Sequence, residues 1–279
     1  MIFIHNQDKQ MISTVRIVTS WAGLLLLSLG VVTSEVRKTG DLVVQGTDCT
    51  EIKTVSPDAS SGIYTIQPSG FRRPFKVYCE MRKDGGWTVI QRRSSGKVSF
   101  DRNWKEYKRG FGNIQKEHWL GLANIFALTK SKDHKSTLRV DLWDFEGGSV
   151  YANYQNFHIG NEKTAYKLHV GKYSGTAGDA IRGAYAGIDQ NGYGFSTYDR
   201  DNDGCSPCIF GDIAVEDCST NEGGGWWFSR CGSADLHGDW HSKENNRGWA
   251  SGLHWLTWRS PEPYSAKATR MMVKTIKQS

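Results

Sequence analysis

FKVYCEM at residues 75–81 alternates apolar and polar side chains, and GGWTVIQRR at residues 85–93 follows it as a further extended stretch. Successive side chains of a β-strand point to opposite faces of a sheet, so this period of two predicts neighbouring strands. Upstream, GIYTIQ at residues 62–67 shows the same alternation, and QPSG at residues 67–70 is typical of a turn. The sequence therefore predicts an antiparallel sheet at the centre of the fold.

Helical and extended patterns succeed one another on the C-terminal side of this sheet. NWKEYKRGFG and EHWLGLANIFALT place apolar residues at helical spacing, whereas LRVDLWDF, SVYANYQNFHI and YKLHVGKY return to a period of two. Beyond about Gly175 the periodicity fades, and Gly, Asp, Asn and Trp dominate. We predict an α+β fold with few helices and an irregular C-terminal third. Loops held by a rigid scaffold often carry function, so residues 175–260 are the candidate functional region.

The N-terminal 34 residues have the pattern of an export signal. The apolar run WAGLLLLSLGVV at residues 21–32 follows Arg16 and is shorter than the ~20 residues needed to span a bilayer. We predict a signal peptide at residues 1–34, whose translation could start at Met11, then a polar lead at residues 35–47 and one domain at residues 48–279. The alternative is an uncleaved membrane anchor. The expected location is extracellular, with no membrane span.

Composition and motifs favour a binding module over an enzyme. The net charge is +6, but positive and negative residues alternate along the chain without a long basic block, which argues against nucleic-acid binding. The motifs of serine hydrolases, zinc peptidases and nucleotide-binding enzymes do not occur. Six cysteines follow the predicted signal peptide, and an even number in an exported chain indicates disulfides.

FSTYDRDNDGCSPC at residues 195–208 contains three alternating aspartates, Asp199, Asp201 and Asp203. Alternating carboxylates in a turn suit calcium, but Phe210 stands where an EF-hand requires a bidentate glutamate. The remaining interpretations are another type of calcium loop and a solvated turn with Asx hydrogen bonds. A zinc site built from the Cys205/Cys208 and His237/His241 pairs is disfavoured in an exported chain, as is a redox Cys-x-x-Cys.

The order of the segments along the chain carries a family resemblance. The segments are DCTEI, GIYTIQPSG, VYCEM, GGWTVIQRR, SFDRNWKEYKRGFG, HWLGLANIFALT, LRVDLWDFEG, YSGTAGDA, FSTYDRDND, GGGWWFSRC and ASGLHWLTW. Together they resemble a fibrinogen C-terminal domain from about Asp48 to Ile276. Members include ficolins and tachylectin-like lectins, microfibril-associated glycoproteins, and angiopoietin-like proteins.

The resemblance implies a calcium site and a disulfide framework. The family's calcium ligands fall on the carboxylates of Asp201 and Asp203 and on backbone carbonyls near Cys205 and Pro207, whereas Asp199 is not a usual direct ligand. The implied disulfides are Cys49–Cys79 and Cys218–Cys231. Cys205 and Cys208 are extra to the common pattern; we expect them to bond to each other, with pairing between chains as the alternative.

The resemblance also implies a ligand pocket beside the calcium site, around the Arg230–Cys231 peptide bond, which is cis in lectin-type relatives. The pocket positions are Glu222, Arg230, Cys231, Gly232, Trp249 and Ala250. Members that recognise acetyl groups have a histidine at the position of Gly232.

Two functions follow as expectations. The first is lectin-like binding of acetylated or acidic surface glycans in innate defence, and the alternative is an angiopoietin-like receptor ligand or a matrix protein. Because single lectin sites bind weakly, the lectin function predicts a homo-oligomer.

Overall fold

The computed structural model of the chain describes residues 38–39, 42–210, 213–242, 252–259 and 264–277. All of them belong to one compact unit, Val36–Ser279. The predicted signal peptide, residues 1–34, lies outside the described residues, so that boundary stays a prediction. The predicted polar lead contributes two short strands, β1 (Lys38–Thr39) and β2 (Leu42–Val43), which pair as a hairpin.

The helices of the described residues are short. They are α1 (Cys49–Val55), α2 (Trp104–Arg109), α3 (Leu122–Thr129) and α4 (Cys218–Glu222), with a 3-10 turn at Glu162–Thr164. The Asp48 side chain accepts a hydrogen bond from the Glu51 N–H at the start of α1, and Asn103 and Glu106 form a capping box at the start of α2. Among the described residues, no helix is long and apolar enough to cross a membrane.

The remaining strands run in chain order from the N-terminal hairpin to the C-terminus. They are β3 (Gly62–Ile66), β4 (Phe75–Arg82), β5 (Gly85–Arg93), β6 (Phe111–Gly112), β7 (His118–Trp119), β8 (His134–Trp143), β9 (Ser149–Tyr154), β10 (His158–Ile159), β11 (Leu168–His169), β12 (Tyr173–Gly175), β13 (Cys208–Phe210), β14 (Ile213–Val215), β15 (Ala234–Asp235), β16 (His254–Trp255) and β17 (Ala268–Lys277).

One antiparallel sheet forms the scaffold, in the order β12-β9-β8-β17-β5-β4-β3, with β7 also paired to β5 and β6 to β7. The α+β prediction is confirmed, with strands at the predicted stretches of residues 62–66, 75–82 and 85–93. The prediction of an irregular C-terminal third is wrong at its end. Strand β17 lies in the middle of the sheet, and its ten residues pair along β8 from Ala268–Trp143 to Lys277–His134.

The described parts of residues 176–259 contain only short strands and α4, and they pack on the sheet through aromatic residues. Trp119, Trp226, Trp227 and Trp255 are all 1% exposed. The buried Tyr107 hydroxyl joins the two regions, because it donates to the Phe100 carbonyl at 2.6 Å and accepts the Gly225 N–H at 2.9 Å. The scaffold thus fixes the position of the glycine-rich turn that precedes Trp226.

Glu117 organises the neighbouring loop after β5. Its carboxylate accepts the backbone N–H groups of the five residues 94–98 at 2.8–3.2 Å. Burial would raise the pKa of Glu117, but the hydrogen bonds from Ser94 and Ser95 outweigh that effect and lower it to about 2. Glu117 is therefore a structural anion, and sequence patterns gave no sign of this role.

Candidate functional site

The candidate calcium loop is centred on Asp203, whose side chain is fully buried. Its Oδ1 atom accepts the Cys205 N–H at 2.9 Å, and its Oδ2 atom accepts the Cys218 N–H at 2.8 Å. Burial raises the pKa of Asp203, although these two hydrogen bonds oppose the rise, and the nearby Asp201 and Asp217 charges add to it. The carboxylate is thus placed where a neutralising cation would stabilise its ionised form.

The other two aspartates of the loop have different roles. Asp201 is exposed and accepts the Asp203 N–H at 3.0 Å, so both predicted carboxylate ligands lie on one short turn. Asp199 accepts the Trp104 N–H at 2.9 Å and the Thr197 hydroxyl at 2.7 Å, which ties the loop to the start of α2. Asp199 therefore has a structural role.

The residues present fit a calcium ion. Within the described residues, no basic side chain forms an ion pair with Asp201 or Asp203, and the adjacent Arg200 guanidinium lies 3.9 Å from the centre of the Trp104 ring. Cys205 and Pro207, the predicted carbonyl ligands, follow on the same loop. A hard cation prefers carboxylate and carbonyl oxygens of this kind, and it would balance the two clustered negative charges.

Three disulfides are present, Cys49–Cys79, Cys205–Cys208 and Cys218–Cys231, and they are the three expected pairs. The Cys205–Cys208 and Cys218–Cys231 bridges touch, with 3.6 Å between the Cys208 and Cys218 sulfurs. Asp203 hydrogen-bonds one residue of each bridge. The candidate calcium loop is thus braced by two adjacent disulfides.

These bonds also decide against zinc. The side-chain oxygen of Asp203 and the sulfurs of Cys205, Cys208 and Cys218 lie within 4.8 Å of one another, a spacing that would allow them to hold one metal ion. However, each of the three sulfurs is bonded to another sulfur, and zinc requires thiolates. His237, part of the alternative zinc pair, places its Nδ1 atom 2.6 Å from the Gly225 carbonyl and supports the glycine-rich turn instead.

The turn at Arg230–Gly232 differs from the expectation taken from lectin-type relatives. The cis peptide bond of the described residues is Ser206–Pro207, so the Arg230–Cys231 bond is trans and the expected cis bond is not found. The chain turns here through positive φ angles of 47° at Arg230, 67° at Cys231 and 77° at Gly232. The Arg230 N–H donates to the Asp203 carbonyl at 3.3 Å, which connects this turn to the candidate calcium loop.

Gly232 has no room for a side chain. A Cβ atom there would lie 2.3 Å from the Gln190 Nε2 atom and 2.7 Å from its Cδ atom. Gln190 is fully buried, and its Nε2 group donates to the Ala234 carbonyl at 2.8 Å. Gln190 thus fills the space into which a histidine at position 232 would extend, a role that the sequence pattern did not reveal.

Next to this turn lies a buried cluster of three titratable side chains, Glu222, Asp235 and His254. The Glu222 Oε2 and His254 Nε2 atoms are 3.9 Å apart, and Asp235 faces His254 in the β15–β16 pair. Glu222 Oε2, Asp235 Oδ2 and His254 Nδ1 have no hydrogen-bond partner among the described residues. Burial is the main reason that the pKa values of Glu222 and Asp235 are raised, and the charge of Asp235 raises the pKa of Glu222 further. Of the other predicted pocket residues, Trp249 and Ala250 lie outside the described residues.

His254 gives this cluster a testable pH dependence. Burial lowers the pKa of His254 to about 4 from 6.5. Because the folded pKa lies below the unfolded one, the stability from the neutral ring is complete above about pH 6.5 and is lost as the pH falls towards 4. We expect the unfolding free energy of the native chain to fall more steeply than that of His254→Gln over this interval, by up to about 1.4 kcal/mol per pH unit. Urea unfolding at a series of pH values measures both slopes, and parallel curves would contradict the assignment.

Known proteins resemble this chain over most of its length. Residues 45–276 match the family described as fibrinogen beta and gamma chains, C-terminal globular domain. Fibrinogen-like protein 1 of Bos taurus is 44% identical over 238 residues, which cover 82% of this chain and 72% of that protein. Angiopoietin-4 of Homo sapiens is 40% identical over 238 residues, which cover 85% of this chain. The match spans only 43% of that angiopoietin.

Solved structures show the same fold. The fibrinogen-like globe domain of human ANGPTL2 superposes with a TM-score of 0.71 at 38% identity, covering 82% of this chain and 98% of that domain. Lamprey fibrin D-dimer, in complex with the peptide ligand Gly-His-Arg-Pro-amide, superposes with a TM-score of 0.74 at 32% identity. That match covers 85% of this chain and 77% of the lamprey chain.

Proposed function

The chain belongs to the family of fibrinogen C-terminal globular domains, and from this membership we propose that it is a secreted, non-catalytic recognition protein of the angiopoietin-like type. In this proposal the loop-rich C-terminal third binds an extracellular segment of a cell-surface protein. A calcium ion at Asp201 and Asp203 holds the binding loops in place. The proposal favours a receptor ligand over an acetyl-binding lectin.

The observation that carries this choice is the packing of Gln190 against Gly232. Acetyl recognition in lectin-type members places a histidine at position 232, and here a Cβ atom would meet the Gln190 side chain at 2.3 Å. Gln190 cannot simply move away, because its amide is buried and bonded to the Ala234 carbonyl. The trans Arg230–Cys231 bond is a second departure from those members. Together these features support a pocket of different specificity.

A solved relative supports a protein partner. Glu222 and Asp235 are buried carboxyls whose pKa values are raised by burial, so they give the pocket no fixed negative charge. The lamprey fibrin structure of the same fold was solved with a peptide ligand that contains histidine and arginine. We therefore propose a basic segment of the partner protein as the element recognised.

Calcium enters the proposal through the backbone. The Arg230 N–H donates to the Asp203 carbonyl, so an ion at the Asp203 carboxylate would fix the start of the Arg230–Gly232 turn. The Cys218 N–H, at the start of α4, bonds the same carboxylate, and Glu222 ends that helix. The ion would thus hold both sides of the candidate pocket.

Cell binding after selective digestion tests the choice between protein and glycan. All cells are first treated with heparin lyases. One sample receives no further treatment, a second is treated with trypsin, and a third is treated with N- and O-glycosidases. We expect the labelled, calcium-loaded chain to bind the first and third samples equally, and to lose saturable binding after trypsin. Light scattering on the same preparation gives the oligomeric state, which affects the strength of binding.

The lectin alternative predicts the opposite pattern. Glycosidase treatment would then abolish binding, and the chain would be retained on N-acetylglucosamine resin and released by free N-acetylglucosamine. Retention of this kind by native protein, together with binding that survives trypsin, would contradict the proposed receptor-ligand function.

A further inference from the structure

A concave surface lies between the end of α3, the start of β8 and the β10–β11 hairpin. We name it the basic groove, and its volume is about 760 Å³. Its charged lining residues are Lys130, Lys132, His134, Lys135, His158, Lys167 and His169. None of its lining residues, all within the described part of the chain, is acidic. The only charge that these residues can present is therefore positive.

Three of the lysines are available for a ligand. Lys132, Lys135 and Lys167 are exposed, and within the described residues they form no ion pair. Lys130 is partly occupied, because its Nζ group donates to the Gly70 carbonyl at 3.0 Å. The acid next to the groove in sequence is Asp133, an exposed residue that does not line it. The lysine charges are thus largely uncompensated.

Two stacked histidines form the wall of the groove on the β10–β11 hairpin. His158 and His169 pair across the two strands, and their ring centres are 4.4 Å apart at an angle of 11°. The His158 Nδ1 atom lies 3.2 Å from the Asn156 carbonyl, which fixes the orientation of this ring. Burial lowers the pKa of His169, and the neighbouring His158 and Lys167 lower it further.

The positive surface continues towards the candidate calcium loop. A second groove of about 790 Å³ shares Thr164 and Lys167 with the basic groove and adds Lys163 and Arg200. Asp201 is the acidic residue among its lining residues. The lysines therefore form an elongated track across two connected concavities, which suits an extended ligand with repeating negative charges.

We propose that the basic groove binds a linear sulfated polysaccharide of the cell surface or the extracellular matrix. Sulfate and carboxylate groups repeated along a chain would each meet a lysine, while the sugar hydroxyls would meet the polar groups of the groove. A single-stranded nucleic acid would need exposed aromatic faces for its bases, and of the two phenylalanines in the groove Phe157 is 1% exposed and Phe126 is only partly exposed. A lipid surface is flat and suits protruding rather than recessed lysines.

A matched pair of triple variants tests this site. Lys132→Ala/Lys135→Ala/Lys167→Ala removes three charges from the groove. Lys76→Ala/Lys83→Ala/Lys105→Ala removes three exposed lysines elsewhere and leaves the same net charge. With a fluorescent heparin oligosaccharide as the probe, we expect the groove variant to bind at least about tenfold more weakly than the native chain near 0.15 M salt. The slope of log Kobs against log salt should fall by about two to three, since each lysine removed eliminates one ion pair with a sulfate.

The control variant should bind heparin like the native chain, and fully desulfated heparin should bind to none of the three proteins. Equal losses in both triple variants would show attraction by net charge alone and would overturn the proposal. The proposal also fails if DNA or phosphatidylserine vesicles bind as tightly as heparin with the same dependence on the groove lysines. Thermal unfolding is used to check that each variant is folded. All six lysines are exposed, so we expect their replacement to leave the fold intact.

Acidic pH gives an independent measurement on the same probe. The ring of His169 lines the groove beside Lys167, and a bound sulfate chain would favour its protonated form against the burial and the neighbouring charges that lower its pKa. The other titratable groups of the groove are His158, His134, Lys135 and Lys167, with Asp133 as the nearby acid. Heparin affinity of the native chain should therefore rise from about pH 7.5 to about pH 5.5, and His169→Gln should lose part of that rise. An equal rise in both proteins would contradict a role of His169 in the groove.

Discussion

Calcium at about a hundredfold above its Kd is expected to raise the unfolding temperature of the native chain by about 5–10 °C, and Asp201→Ala/Asp203→Ala is expected to remove that rise. A ligand at this excess stabilises the folded state by about 2.7 kcal/mol. For a domain of this size, each kcal/mol shifts the midpoint by about 2–4 °C. The physical reason is the Asp203 carboxylate, which is fully buried, whose pKa is raised by that burial, and whose ionised form a bound cation would stabilise.

The same double variant also unfolds at a lower temperature than the native chain without calcium. The Cys205 and Cys218 N–H groups lose their shared acceptor, and each buried unpaired donor costs about 1–3 kcal/mol. The matched control is Asp58→Ala/Asp133→Ala, which removes two exposed acids and should keep the calcium response. Differential scanning calorimetry with and without a chelator measures both effects. An undiminished calcium shift in Asp201→Ala/Asp203→Ala would place the ion elsewhere.

The second large effect concerns the two touching disulfides. We expect Cys218→Ala/Cys231→Ala to lower the free energy of unfolding by about 3–5 kcal/mol. Closing a loop with a sequence separation of 13 residues contributes about 3 kcal/mol. The loss of both buried sulfurs from the core adds to that value, since Cys218 and Cys231 are each fully buried.

Cys205→Ala/Cys208→Ala is the comparison that the chain itself offers. The Cys205–Cys208 bridge has a sequence separation of 3 and closes a much shorter loop. The same loop-entropy model gives this bridge a contribution of about 2 kcal/mol to the free energy of unfolding. Guanidinium unfolding of the two variants measures the difference. A larger loss in the Cys205/Cys208 variant than in the Cys218/Cys231 variant would contradict the idea that the longer bridge anchors the binding region.

Most of the sheet was predictable because its strands show a clear period of two. Residues 62–66, 75–82 and 85–93 form strands where FKVYCEM and its neighbours predicted them, since alternating burial is recorded directly in side-chain polarity. The last strand, Ala268–Lys277, was missed. It pairs on both edges and buries Met271, Met272 and Val273 in a row, which obscures the alternation.

The candidate calcium loop was predictable because its residues are adjacent in sequence, and the structure places Asp201 and Asp203 on one turn. The pocket was less predictable, because its members come from distant parts of the chain. Gln190 and Gly232 are brought together only by tertiary packing, as are Glu222, Asp235 and His254. The basic groove was missed for the same reason, since its lysines come from residues 130–135 and from residue 167 and make no continuous basic block.

Binding to cells treated with heparin lyases, measured with and without calcium, tests the central claim most directly. That claim joins a calcium ion at Asp203 to the recognition of a protein partner. The account predicts saturable binding of the native chain with calcium and its loss on chelation. It also predicts no binding by Asp201→Ala/Asp203→Ala and native-like binding by Asp58→Ala/Asp133→Ala and by the Lys132/Lys135/Lys167 groove variant. Binding by the Asp201/Asp203 variant at the native level, or binding that persists unchanged after chelation, would contradict it.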